Sequence, residues 1–258
     1  MSIDGRIRLE TDGPVATLTI ARPDKLNALD DVMVDALKIT CRTIEDDKAI
    51  RIVILTGEGG KSFCAGGDIE AWSGNPPVEF GLHWVRHGHE AFDALARLRQ
   101  PVIAVLNGHT LGGGLELAVC ADYRIAEAHV KIGQPESGLG IIAGWSGTQR
   151  AVRRFGSQLV RRMALFGEIF AAEEACRLGL VDTVAETGKG MEAARTLAER
   201  LLTRGPLATQ LTKMLVNAAE GEEGERVLEA IAGIAAASSP ELQEGLSAFR
   251  EKRKPSFD

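Results

Sequence analysis

Gly112, Gly113 and Gly114 stand directly ahead of an apolar, helix-forming run from Leu115 to Cys120, and Glu116 lies inside that run. A second carboxylate, Glu136, follows in Gly133-Gln134-Pro135-Glu136. Glycines at a helix start leave backbone N–H groups bare, and bare N–H groups attract negative charge. A carboxylate beside such amides, with a second to face it, suits proton transfer next to a developing anion. The expected chemistry is that of an enolate formed on a carbonyl compound.

A second loop has the same form. Phe63-Cys64-Ala65-Gly66-Gly67-Asp68 follows the apolar run Ile52–Thr56, as the three glycines follow Val102–Leu106. In open α/β sheets, ligands bind beyond the carboxyl ends of strands, so both loops are expected at one rim. One N–H from each, aimed at a common point, would make an oxyanion hole, in which a single donor is worth roughly 2.7–4 kcal/mol to the transition state. Glycine suits such a place because it leaves room for close approach and frees φ. The plain alternative is that these glycines only make tight turns. For the glutamates the alternative is a solvated surface charge. Against it, two carboxyls sharing a site resist joint ionisation, so that one serves as base while its neighbour stays an acid.

The elements that must position these groups are legible in outline. Arg6–Glu10 and Val15–Ile20, split by Asp12-Gly13-Pro14, form a hairpin pattern. Asp30 is placed to cap a helix whose apolar positions Val34, Leu37, Cys41 and Ile44 recur at three and four. Ile52–Leu55 and Val102–Leu106 are all-apolar strands of the kind buried on both faces. Pro77 starts a long helix reaching Leu98. A strand near Tyr123–Ala126 follows the Glu116 helix, and Leu180–Val184 makes a last short one. This alternation implies an α/β body with parallel strands and helical crossovers. Beyond it the pattern is helical, marked by Leu197, Leu201 and Leu202, then Leu211, Met214 and Leu215, then Val227, Leu228, Ile231 and Ile234, with Pro206 and Pro240 as punctuation. Such a tail is either an oligomerisation element or a lid on the core.

The 258 residues, 45% of them hydrophobic, suffice for one large domain with an appendage. A net charge of −6 argues against nucleic acid as a partner. No signal peptide or membrane-spanning run is apparent, so no membrane association is expected. Cys41, Cys64, Cys120 and Cys176 are widely spaced without a CxxC pair, and read as reduced thiols of a cytoplasmic or matrix-type compartment.

At these residues the sequence resembles the crotonase superfamily, the enoyl-CoA hydratase/isomerase family. The resemblance covers Lys25–Leu29, Phe63–Asp68, Pro101–Leu117, Gly133–Glu136, Gly147–Arg150 and Phe249–Lys254, with order and spacing in agreement from about residue 6 onward. It implies a crotonase-like spiral of ββα turns over residues 1–195, with a C-terminal helical region over 196–258 that builds trimers, often paired into hexamers. It implies an acyl-CoA thioester as substrate and no cofactor beyond that coenzyme A. Gly67 and Gly113 would supply the oxyanion-hole amides. Glu116 and Glu136 would together grip a water that adds at Cβ of a trans-2-enoyl-CoA, with Glu136 delivering the proton at Cα. Lys25 matches a basic position that helps hold the CoA phosphates, Lys252 matches a C-terminal lysine that can reach a neighbouring subunit's CoA, and Ala65, Asp68 and Ile69 are expected to contact the substrate. The first glutamate favours a hydratase over an isomerase that moves a double bond from C3 to C2. A non-catalytic acyl-CoA-binding or RNA-binding protein on the same scaffold is a further alternative, opposed by the intact glutamate pair and the acidic charge. The chain departs from the family at Ile69-Glu70, where many members carry a lysine, and at Ala143–Gly147, where bulky Trp145 stands close to the acyl end. The segment 72–89 is where members vary most.

Four other patterns are set aside. Gly57–Ser62 resembles a phosphate loop but has Leu55 where the first glycine belongs. His83 and His87 have zinc-binding spacing, yet no HExxH pattern, cysteine or acidic cluster joins them, and a helix face or pocket wall is expected; no metal site is expected. Cys64 lacks a sequence-adjacent histidine to activate it. Arg150, Arg153 and Arg154 read as a solvated helix face, or as salt bridges within an oligomer.

Overall fold

The computed structural model describes residues 5–257. They divide into two compact units, Met1–Pro206 and Leu207–Asp258.

Among the described residues the first unit holds ten strands in two sheets. The larger has the order β1 (Ile7–Asp12), β2 (Val15–Ile20), β3 (Ile52–Gly57), β5 (Val102–Leu106), β7 (Tyr123–Glu127), β10 (Thr183–Ala185). Only the opening hairpin is antiparallel; the rest pair in parallel. The smaller sheet has the order β4 (Ser62–Cys64), β6 (His109–Leu111), β8 (Lys131–Gly133), β9 (Ile169–Ala171). Thus β3, β5 and β7 are each followed at once by a short strand of the other sheet. This repeat is the ββα spiral, and it brings the loops after β4 and β6 side by side.

Asp30 caps the helix Asp31–Asp46 through a 3.0 Å bond from the Met33 amide, as its position predicts. Strands β3 and β5 are buried along their whole length. One face joins the main core. The other, with Ile52, Ile54, Ile103 and Val105, packs with Ile125 against Ala194 and Ala198 of the helix Gly190–Leu202. The long helix from Pro77 is interrupted: a π turn, Phe80–Val85, separates Pro77–Glu79 from Arg86–Ala96. The last strand starts later than its apolar run suggests, because the Leu180 amide is bound to the Ala175 carbonyl at the preceding helix end. The four strands of the small sheet, three residues each, escape any periodicity argument.

Arg150 overturns the solvated-face reading. It is 1% exposed, and its Nη2 donates to Asp93 Oδ1 at 2.6 Å. The helix Gln149–Phe155 turns this side chain into the core, where only a carboxylate partner makes a guanidinium tolerable. Arg154 is half-buried and donates to the carbonyls of Val119 and Ala121. Arg150→Ala should therefore destabilise the fold by about 1.5–3 kcal/mol, the scale of a hydrogen bond to a charged group, since Asp93 keeps Arg97 at 3.0 Å. A urea melt checks this, and a loss under 1 kcal/mol would mean the pair behaves as a surface bridge.

The second unit is helical: the Pro206–Ala219 helix runs into it, followed by Gly224–Ala237 and Pro240–Glu251. Ser239 caps the last of these by accepting from the Glu241 amide, and Lys252 ends it in the left-handed conformation at φ 55°. Among the described residues no helix is long and apolar enough to cross a membrane.

Candidate active site

The carboxyl end of the small sheet opens into a cleft. Its polar lining is made by Gly67, Gly112, Gly113, Glu116 and Glu136. Its apolar lining includes Trp72, Trp84 and Trp145, all three tryptophans of the chain.

The two glycine loops meet here because neither carries a side chain. A Cβ on Gly113 would stand 2.9 Å from Gly66 Cα and 3.4 Å from the Gly67 nitrogen. A Cβ on Gly114 would stand 1.8 Å from the Cys64 carbonyl oxygen. Gly66 itself has φ +94°. The helix begins at Gly113, two residues before the apolar run, so the Gly113 amide belongs to its first turn and lacks an intrahelical acceptor. Among the described residues no hydrogen bond uses the Gly67 or the Gly113 amide.

Glu116 lies in the first turn of that helix but is 4% exposed. Its Oε1 accepts from the Trp145 amide at 2.6 Å and the Gly147 amide at 2.7 Å. Ser146, between them, sits at φ 78°. This left-handed residue turns two amides onto one oxygen, a strained arrangement of the sort found at functional sites. Burial, then the charge of Glu136, pushes the Glu116 carboxyl up to about 7, against the pull of its amide donors. The helix start thus does not hold Glu116 ionised: a dipole worth about 0.3–1 kcal/mol is outweighed by removal from water. Burial also raises Glu136, and neither of its oxygens has a hydrogen-bond partner. Its carboxylate lies over the glycine turn, with Oε1 3.3 Å from where a Cβ on Gly112 would be.

A raised carboxyl contributes stability below its unfolded pKa and loses that contribution as pH rises through its folded pKa. Relative to Glu116→Gln, the protein should therefore lose stability between pH 4.5 and about 7. Urea midpoints across that window read the difference; a flat difference would contradict the burial of this charge.

Trp145 forms the cleft floor. It is 3% exposed and meets the rings of Trp84 and Phe92 at a tilt, with centroids 5.1 Å and 4.9 Å away. A Cβ on Gly88 would stand 2.1 Å from its Nε1, so the helix is thinned to admit the indole. The π turn supplies Phe80, Trp84 and Val85 to the opposite wall. Composition signals this wall poorly, since aromatic residues in a helix read equally as core.

Ala65, Gly67, Ile69, Gly113, Glu116, Glu136 and Trp145 all line the cleft. Asp68 does not: its carboxylate pairs with Arg22 at 2.8 Å and caps the next turn at the Glu70 amide. Lys25 is also outside the lining, and its Nζ is 2.7 Å from Glu70 Oε2. Cys64 is buried and its thiol is pushed up to about 12, which removes it as a nucleophile.

A family profile described as enoyl-CoA hydratase/isomerase matches residues 10–258. A crotonyl-CoA hydratase of Syntrophomonas wolfei is 38% identical over 256 residues, covering 97% of each chain. A short-chain-enoyl-CoA hydratase of Clostridium acetobutylicum is 38% identical over 248 residues, covering 95% of each. The crystal structure of an enoyl-CoA hydratase from Bacillus anthracis superposes with a TM-score of 0.81 at 32% identity, covering 98% of each chain.

Proposed function

Because the chain belongs to the enoyl-CoA hydratase/isomerase family, we propose that it adds water reversibly to a trans-2-enoyl-CoA, giving the 3-hydroxyacyl-CoA. The observation that carries this is one cleft holding buried Glu116 and half-buried Glu136 beside two unengaged glycine amides.

The amides of Gly67 and Gly113 receive the thioester oxygen and take up its charge as the enolate forms. Water binds between Glu116 and Glu136. Its oxygen bonds to Cβ, the π pair shifts toward the carbonyl, and the water's second proton passes to the carboxylate pair. Glu136 gives a proton to Cα, so the pair ends in its starting state. Glu116, fixed by two amides, suits holding the water; Glu136, without a protein partner, suits carrying the proton. The raised carboxyls match an acid and a base working near neutrality. The reaction asks for no cofactor besides the coenzyme A of the substrate.

Lys25 and Lys252 are assigned to CoA. Lys25 would exchange Glu70 for a phosphate, an exposed pair that costs little to break. Trp145 closes the acyl end of the cleft, which favours short or flat acyl groups. The helical C-terminal region is assigned to assembly as a trimer or hexamer, in keeping with exposed Leu228 and Phe249. Purified protein offered a 2-enoyl-CoA and a 3-enoyl-CoA tests the activity. Loss of conjugated-thioester absorbance on the first is expected; turnover of the second alone would make the protein an isomerase.

A further inference from the structure

We propose that Asp31, His83 and His87 form a site for a divalent metal of the zinc class, apart from the cleft lining described above. Asp31 opens the helix Asp31–Asp46; His83 lies in the π turn and His87 one turn further on. One donor atom from each lies within 4.8 Å of the other two. The spacing of the two histidines is visible in the sequence, but the third ligand comes from a distant helix.

Two features point to a ligand. Oδ1 of Asp31 and Nδ1 of His87 are both shut off from solvent and have no hydrogen-bond partner. Nε2 of His87 is 2.7 Å from Asp35 Oδ1. That contact places the imidazole proton on Nε2 and leaves the Nδ1 lone pair free, which is the carboxylate–histidine–metal relay of protein zinc sites. The His83 and His87 rings meet edge-on at 78°, converging without stacking. A π turn within a helix is itself common at functional sites.

Two imidazoles and one carboxylate suit zinc and its neighbours, whereas calcium and magnesium call for oxygen donors throughout. Tetrahedral zinc with bonds of about 2.0–2.1 Å sets its donors roughly 3.3 Å apart. His83, whose side chain is exposed, supplies the rotation that closes the gap. A fourth position stays open to water. The metal would tie the helix Asp31–Asp46 to the turn that carries Phe80, Trp84 and Val85 of the cleft wall.

The test uses the full chain, freed of any histidine tag and stripped with chelator, titrated with zinc by calorimetry and with cobalt by absorption. One equivalent per chain is expected, with a cobalt spectrum lacking a thiolate charge-transfer band. His83→Ala and His87→Ala should each weaken binding at least about 10-fold, and Asp35→Asn about 10–100-fold. Metal-free turnover should be unchanged in all three. Asp35 is 58% exposed, so its variant reads the site even if His87→Ala misfolds. Absence of stoichiometric binding, a thiolate band, or unchanged affinity in Asp35→Asn and His83→Ala would overturn the proposal.

Discussion

Glu136→Gln is expected to lower kcat at least about 100-fold, the lower end of what a positioned acid or base contributes. Folding should be untouched. Both oxygens of Glu136 lack a protein partner, so the amide breaks no structural bond, and the substitution removes a carboxyl whose burial already disfavours its charge. KM should change far less than kcat, because the lost proton transfer matters in the transition state and not in the bound substrate. Steady-state kinetics with a 2-enoyl-CoA, beside a melting curve, checks both halves. Rates like those of the unaltered protein would remove Glu136 from the mechanism.

Gly113→Pro should cost about 10²–10³-fold in kcat, the scale of one oxyanion-hole donor. Proline is tolerated in a first helical turn, where the N–H has no intrahelical acceptor. The ring does press on Gly66, whose Cα lies 2.9 Å from the Cβ position. Gly113→Ala is therefore the necessary companion: it adds the same Cβ and keeps the amide. If the two variants lose activity equally, crowding explains the loss. If proline loses at least about 10-fold more than alanine, the N–H is what the reaction uses.

Those two residues, with Gly67 and Glu116, stand out in the sequence because each depends on local features: glycines before a helix and carboxylates near them. The strand Val102–Leu106 and the cap at Asp30 were legible for the same reason, an unbroken apolar run and a side chain placed to accept from the next turn. What holds Glu116 is not local. The amides of Trp145 and Gly147 reach it only because Ser146 adopts a left-handed φ that no residue type announces. The small-sheet strands are too short for a pattern and owe their register to partners far along the chain. Asp68 and Arg150 show the same limit from the charged side. Arg22 engages the first and Asp93 the second, pairings fixed by packing between distant segments.

The mechanism requires one oxygen to be held by two amides while two carboxyls hold one water. A crystal structure with a slowly turned-over 2-enoyl-CoA analogue tests it most directly. The thioester oxygen is expected about 2.7–3.1 Å from the nitrogens of both Gly67 and Gly113, with a water bridging Glu116 and Glu136 beside Cβ. A thioester oxygen out of reach of either amide, or either glutamate turned to bulk solvent with the analogue bound, would contradict it.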